Sequence, residues 1–373
     1  MCRLLTALAL AFAAGCTTIH DRLVAANDVK SLAQAVADYY VKDGGDDTCA
    51  VGVVCGDAGE PVFASAGGVD EHSLYRIASL SKMFLYPVLL KLHGDGRIDL
   101  DRPVTAYSKL KLPPECTRIT LRDLLENKSG LPREFLTPWN PVDMFTAFKC
   151  GFIGSHIYGD FDGREDFQHE IWRSRWRAAM RNGGNVYSNV GFGLLGMTIE
   201  DALGRGLEAI VSEDLTKPRH LADTTYFPCG GQTNRLTRAC AGHLPWLVRR
   251  RHEVPDHRLG DALRATGGMF SSVHDCVTFF RSCWPMVDAY MKDRPLETYP
   301  DGAVYGLLRV HVLRSGRRIV YRAGMIYGGA SFTAYDPSAR TLVVILRNVT
   351  SWPDKRGFEV MERLDELLRN ERM

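Results

Sequence analysis

Ser79 and Lys82 stand three residues apart in Ala78-Ser79-Leu80-Ser81-Lys82, ahead of the apolar residues Met83, Phe84, Val88, Leu89 and Leu92. On a helix that spacing puts a hydroxyl and an amine on one face, one turn apart. The pair suits nucleophilic chemistry. A serine hydroxyl attacks poorly until a base takes its proton. A lysine partly desolvated beside other cations has a lowered pKa and can accept or relay that proton. The N-terminus of the helix would set backbone N–H groups beside a reacting carbonyl, half of an oxyanion hole. The pattern alone is weak, because a serine cap on a core helix explains it too, and Ser108 and Lys111 repeat it. Ser108, however, lies in Tyr-Ser-Lys-Leu-Lys-Leu-Pro-Pro, a proline-ended connector, so Ser79 is the stronger candidate. The sequence has no Gly-x-Ser-x-Gly, no His-Glu-x-x-His and no close His-x-His pair, and its eleven histidines are scattered. An α/β-hydrolase elbow and a zinc hydrolase are therefore unsupported, and no metal or other cofactor is expected.

The flanking residues sharpen this reading. Tyr75-Arg76-Ile77-Ala78-Ser79-Leu80-Ser81-Lys82, then Gly96-Arg97-Ile98-Asp99-Leu100-Asp101-Arg102-Pro103-Val104, then Ile119 to Leu125 and Ser129-Gly130-Leu131-Pro132 follow in order. Tyr187-Ser188-Asn189, the one Tyr-x-Asn in the chain, precedes Val190-Gly191-Phe192-Gly193-Leu194-Leu195-Gly196. Ala265-Thr266-Gly267-Gly268-Met269 and Tyr305-Gly306-Leu307 come later. As a set, from about residue 50 to 350, these segments resemble the serine β-lactamase and penicillin-binding-protein family, class C β-lactamases in particular. The resemblance implies that Ser79 is acylated, assisted by Lys82. It implies that the Tyr187 phenol exchanges a proton with Ser79 and the leaving group, and that Asn189 holds Lys82 and the substrate amide.

The family's third motif, Lys-Thr-Gly or His-x-Gly, has its best counterpart in Arg322-Ala323-Gly324. Gly324 keeps the backbone close to a substrate, and the Met325 N–H is the candidate second oxyanion donor. Arg322 stays cationic and can bind a carboxylate with two hydrogen bonds, but it cannot shuttle a proton. Ala323 lacks the motif's hydroxyl, which leaves the acyl donor open. Asn127-Lys128-Ser129-Gly130 lacks the His-Thr common before Ser-Gly. Pro87 should kink the helix after Ser79. Trp172 and Trp176, four apart, read as helix packing or as a wall of the cleft.

The elements that must position these groups follow from periodicity. Asp28 caps a helix to about Val41, with Leu32, Ala35, Val36, Tyr39 and Tyr40 on one face. Short strands are predicted at 50–54 and 62–66, and later at 305–313, 318–322, 330–335 and 341–347, with a turn at Asp336-Pro337-Ser338-Ala339. A closing helix carries Phe358, Val360, Met361, Leu364, Leu367 and Leu368 as its stripe. Two early strands cannot bury themselves alone, so strands from both ends must share a sheet. The expected fold is α+β: an antiparallel sheet flanked by the terminal helices, plus an inserted, mostly helical lobe, of β-lactamase/transpeptidase type. Its domain spans 28–373, with an α/β lobe at about 28–78 and 265–373 and a helical lobe at about 79–264. A small-molecule site belongs in the cleft between them.

Composition sets the remaining limits. The chain has 373 residues, 45% hydrophobic and 24% charged, with a net charge of +2, which gives no electrostatic case for nucleic acid. Arg249-Arg250-Arg251-His252 reads as a solvated loop. Arg3 and the apolar run Leu4 to Ala14 fit a cleaved signal over 1–15, since eleven residues fall short of the ~20 a spanning helix needs. Ala13-Ala14-Gly15-Cys16 resembles a bacterial lipobox, which implies lipidation at Cys16, a tether over 16–27 and an envelope location. Ten cysteines are present. Neither Cys49 with Cys55 nor Cys276 with Cys283 can pair locally, Cys229 and Cys240 can, and free buried thiols are the plain alternative. Together these readings predict an exported serine hydrolase forming an acyl-serine intermediate on an amide or ester: a β-lactam, a D-Ala peptide or an ester. The alternative is a catalytically weak or inactive envelope-tethered binding protein for peptidoglycan-like peptides. Either way the partner is a small molecule or peptide, and a membrane enters only through the lipid anchor.

Overall fold

Ser31 N–H donates to the Asp28 carboxylate (2.8 Å) at the start of helix α1 (Val29–Lys42), as the capping pattern predicts. Six further elements lead through the nucleophile region: β1 (Cys49–Cys55), β2 (Val62–Ala66), β3 (Tyr75–Arg76), α2 (Ser81–Gly94), α3 (Asn189–Leu203) and β4 (Phe270–Ser271). Helices α4 (Val273–Ser282) and α5 (Trp284–Lys292) follow. The chain then makes β5 (Glu297–Tyr299), β6 (Gly302–Tyr305), β7 (Leu308–Val312), β8 (Arg318–Ile326), β9 (Gly329–Asp336) and β10 (Thr341–Arg347), and closes with α6 (Asp354–Asn370). This computed structural model describes residues 23–42, 46–133, 163–173, 187–237, 240–241, 252–253, 264–299, 302–326, 328–349 and 354–370.

Strands from both ends of the chain share one antiparallel sheet, in the order β2-β1-β10-β9-β8-β7-β6-β5. Side chains of a strand alternate between faces, and each face has its own core. On the outer face Val51, Val53, Val343, Ile345 and Phe332 meet Leu32, Val36, Val360 and Leu364 of the terminal helices. On the inner face Ala50, Val54, Val344, Leu346 and Val320 meet α2, α4 and α5. Phe84 of α2 stacks on Phe279 of α4 with ring centroids 3.9 Å apart. A Cβ at Gly52 would lie 2.5 Å from Val277, so α4 lies directly on β1. Each buried apolar side chain contributes about 1.5–3 kcal/mol, and this packing fixes α2 against the sheet.

Two local expectations change. The single strand at 305–313 is a hairpin, β6 and β7, because Gly306 turns the chain in the left-handed region (φ 55). A Cβ there would strike the Tyr290 hydroxyl. Strand β8 runs on to Ile326, so Arg322, Gly324 and Met325 share one strand. Helix α2 runs through Pro87 to Gly94, with the proline ring buried. Among the described residues no helix is long and apolar enough to cross a membrane.

Candidate active site

Ser79 lies in a 3-10 turn, Ala78–Leu80, that feeds directly into α2. Its Oγ is 2.6 Å from the Tyr187 hydroxyl and accepts from Lys82 Nζ at 3.2 Å. Lys82 is wholly buried. It also donates to Asn189 Oδ1 (2.8 Å) and to the Thr266 carbonyl. Acceptors on several elements converge on this nitrogen, which suits an ammonium that can only donate. With Lys82 donating to Ser79, the serine proton is directed at Tyr187.

The nucleophile turn is held from several sides. Ala78 has φ 49, a left-handed conformation uncommon for a residue with a side chain. Ser81 Oγ donates to the Ala78 carbonyl (2.6 Å) and accepts from Met269 N–H (3.2 Å). Ser331 Oγ donates to the Ile77 carbonyl (2.7 Å). A Cβ on Gly324 would come within 2.7 Å of Ser79 N, so only glycine lets β8 lie this close to the nucleophile's N–H. Met325 follows on the same strand, in register with Ala330.

Tyr187 and Asn189 are carried into place by the start of α3. Ser188 caps that helix, accepting from Gly191 N–H (2.8 Å). The loop at 127–133 fastens the cap. Ser188 N–H donates to Asn127 Oδ1 (3.0 Å), Ser188 Oγ donates to the Pro132 carbonyl (2.6 Å), and Asn189 N–H donates to the Arg133 carbonyl (2.9 Å). Asn127 adopts φ 57, which asparagine tolerates better than most residues. In the sequence, Ser129-Gly130-Leu131-Pro132 follows the family pattern and Asn127-Lys128 departs from it. The signal was there in an asparagine suited to a left-handed turn, but its partner was not.

Arg322 is buried on β8, with its guanidinium carbon 4.6 Å from the Tyr187 ring centroid. Its Nη1 donates to the Leu307 carbonyl (3.2 Å), and its Nε has no hydrogen-bond partner. Burial pushes the Tyr187 phenol up. The Lys82 ammonium, then the Arg322 guanidinium, then hydrogen bonds with Lys82 and Ser79 outweigh it and bring the pKa down to about 8. The structure therefore brings Ser79, Lys82, Tyr187, Asn189, Arg322 and Gly324 together, with Met325 beside Gly324. It adds the Thr266 carbonyl, a backbone group no side-chain pattern reveals.

The rival pair has a local role: Ser108 Oγ accepts from Leu110 N–H within its own turn. Trp172 is half exposed and donates to the Lys111 carbonyl. Cys229 is free and exposed, so the Cys229–Cys240 pairing is not made, while Cys49, Cys276 and Cys283 are buried free thiols. Cys16, Trp176 and Arg249-Arg250-Arg251 lie outside the described residues. His93, Asp99 and Asp101 approach one another near the surface, but Arg122 already takes the Asp101 carboxylate with bonds of 2.6 and 3.0 Å.

The family model described as Beta-lactamase matches residues 37–366. The chain belongs to the β-lactamase family. Among curated relatives of this β-lactamase-family chain, the D-alanyl-D-alanine-carboxypeptidase/endopeptidase AmpH of Escherichia coli (strain K12) is 31% identical over 180 residues, 46% of this chain and 42% of that protein. Protein flp of Staphylococcus aureus (strain N315) is 22% identical over 296 residues, 74% of this chain and 53% of that one. The chain thus spans about half the length of these relatives, or less. Among solved structures, a class C β-lactamase from Rhodobacter sphaeroides superposes with a TM-score of 0.68 at 17% identity, covering 90% of this chain and 99% of that one. The D-amino acid amidase of Ochrobactrum anthropi SV3 does so at 0.67 and 22% identity, covering 91% and 98%. These likenesses show the β-lactamase fold, the α+β architecture expected above.

Proposed function

We propose that this β-lactamase-family chain is a serine hydrolase that cleaves an amide or ester through an acyl-Ser79 intermediate. The Ser79–Tyr187 contact of 2.6 Å carries the reading. Tyr187, with its pKa near 8, is about one-tenth phenolate at neutral pH. As Ser79 Oγ bonds to the carbonyl carbon, its proton passes to the Tyr187 oxygen. The carbonyl oxygen becomes an oxyanion facing the N–H groups of Ser79 and Met325. The bond to the leaving nitrogen or oxygen then breaks, and that atom takes the proton from Tyr187. Water then attacks the acyl-serine by the same route, giving a proton to Tyr187; the Ser79–acyl bond breaks, Ser79 Oγ takes that proton back, and a carboxylic acid leaves. Lys82 stays an ammonium that lowers the cost of the phenolate, and Asn189 orients both Lys82 and the substrate amide.

Arg322 adds a preference for an acyl donor with a carboxylate near the scissile bond, because a buried guanidinium matches that anion in charge and shape. β-Lactams and D-alanyl peptides both carry one, and the named activities of the relatives point the same way. Mass spectrometry after exposure to a fluorescent penicillin or a fluorophosphonate is expected to find the adduct on Ser79. Hydrolysis of nitrocefin, short-chain esters or D-Ala-D-Ala peptides should vanish in Ser79→Ala. No adduct with either probe and no turnover of the panel would leave the non-catalytic binding protein as the better reading.

Export with lipidation at Cys16 belongs to the same proposal, supported by Ala13-Ala14-Gly15-Cys16 after an apolar run. Labelled fatty acid fed to expressing bacteria should enter the wild-type chain and not Cys16→Ala. Equal labelling of both would rule out the anchor.

A further inference from the structure

Two adjoining cavities lie under the site, with empty volumes of about 390 and 350 Å³. They share Met83, Phe280, Val287 and Leu308 as walls. Their position follows from β8. Gly324 touches the nucleophile turn, Arg322 lies two residues further in, about 7 Å along the strand, and Val320 two beyond that. Arg322 and Val320 line the second cavity, and Met83 follows Lys82 directly. Arg322 therefore forms the partition between the reacting groups and the cavities, with the Tyr187 ring on its other side.

The lining is apolar, with a specific deficit. Arg322 Nε and Trp284 Nε1 have no hydrogen-bond partner, although their side chains are only 6% and 4% exposed. Both residues line the second cavity. A buried donor left unmatched is unfavourable, since it has given up its bond to water. Both groups can only donate, so the matching ligand must bring an acceptor into an otherwise hydrocarbon space.

We infer that these cavities bind an apolar carboxylate, its anion at Arg322 and its hydrocarbon part among Met83, Phe280, Val287 and Leu308. The inference rests on the hydrolase reading for its meaning in turnover. There it assigns the carboxylate-bearing half of the substrate an apolar side chain larger than the methyl of alanine.

Binding to the full-length wild-type chain tests this without turnover. Isothermal titration with octanoate, butyrate and octanol should show saturable octanoate binding at least tenfold tighter than either of the others. Val287→Phe fills the shared wall and should weaken octanoate at least tenfold, with near-ultraviolet circular dichroism unchanged. Independently, octanoate should quench tryptophan emission in the wild type and much less in Trp284→Phe. No saturable octanoate binding overturns the inference, and so does octanol binding as tightly as octanoate. Because the assay contains no scissile bond, failure to acylate Ser79 would leave its result intact, so the two readings fail separately.

Discussion

Arg347 and Arg322 are both buried arginines on strands of one sheet, and their surroundings are opposite. Arg347 donates through Nε and Nη2 to the two oxygens of Asp46 (2.5 and 2.9 Å) and stacks on Tyr40, 3.9 Å from its ring centroid. Arg322 meets no carboxylate among the described residues. It faces a carbonyl, a phenol ring and an unmatched Nε. Burial disfavours both charges. At Arg347 the bonds with Asp46 outweigh it and the guanidinium pKa ends raised. At Arg322 burial wins over Tyr187 and the pKa ends lowered. A buried charge is tolerated when it is paired. Arg347 is paired with a carboxylate within the fold, whereas Arg322 has none among the described residues, which is the state the proposed substrate anion would match.

Replacing each arginine separates the two roles. Arg347→Ala strands the Asp46 carboxylate in the interior and should cost about 3–5 kcal/mol in urea unfolding. Arg322→Met removes a charge that has no ion pair and puts an apolar chain in its place. Its unfolding midpoint should hold or rise. Its kcat/KM on a carboxylate-bearing substrate should fall by about 1.5–3 kcal/mol, roughly 10- to 150-fold, the range for hydrogen bonds to a charged group. If Arg322→Met lost as much stability as Arg347→Ala, the contrast would be false and Arg322 would be one more structural arginine.

The sequence is informative about the parts of this contrast that are local. Short apolar runs on β1 and β10 and the stripes on α1 and α6 mark the sheet and its outer cover, because a sheet covered on both faces buries every strand position while a helix buries one stripe. Ser79 with Lys82, and Tyr187 with Asn189, are legible as motifs because one turn of backbone fixes each pair. Other features depend on separations no spacing encodes. The Asp46–Arg347 pair spans most of the chain. Asn127 reaches Ser188, and Lys82 reaches the Thr266 carbonyl, across the fold. The hairpin at Gly306 was read as continuous strand because its flanks keep one apolar pattern through the turn. Arg322 was visible as a departure from Lys-Thr-Gly. That it stands buried without a carboxylate is a property of the packed sheet.

The finest test uses Tyr187, where the unpaired arginine is felt at a distance. Tyr226 is also buried, and there burial dominates and pushes the phenol above its ordinary value despite Arg264. Tyr187 goes the other way, to about 8, because Lys82 and Arg322 lie against its ring. The proton-accepting form is the phenolate, so kcat/KM should rise with pH and level off above about 8. Lys82, Arg133 and Arg322 all stand over the Tyr187 ring, and Arg322→Met removes the nearest of these cations. The inflexion should move upward by about one unit, which at neutral pH leaves roughly a tenth of the phenolate, ~1.4 kcal/mol in rate. The choice of substrate then divides the two actions of Arg322. On an uncharged ester the variant and wild type should converge at high pH, where Tyr187 is ionised in both. On a carboxylate-bearing amide a gap should persist there, because the anion has still lost its partner. An inflexion that stays at the same pH in Arg322→Met would show that Arg322 does not tune Tyr187, and would restrict it to holding the substrate.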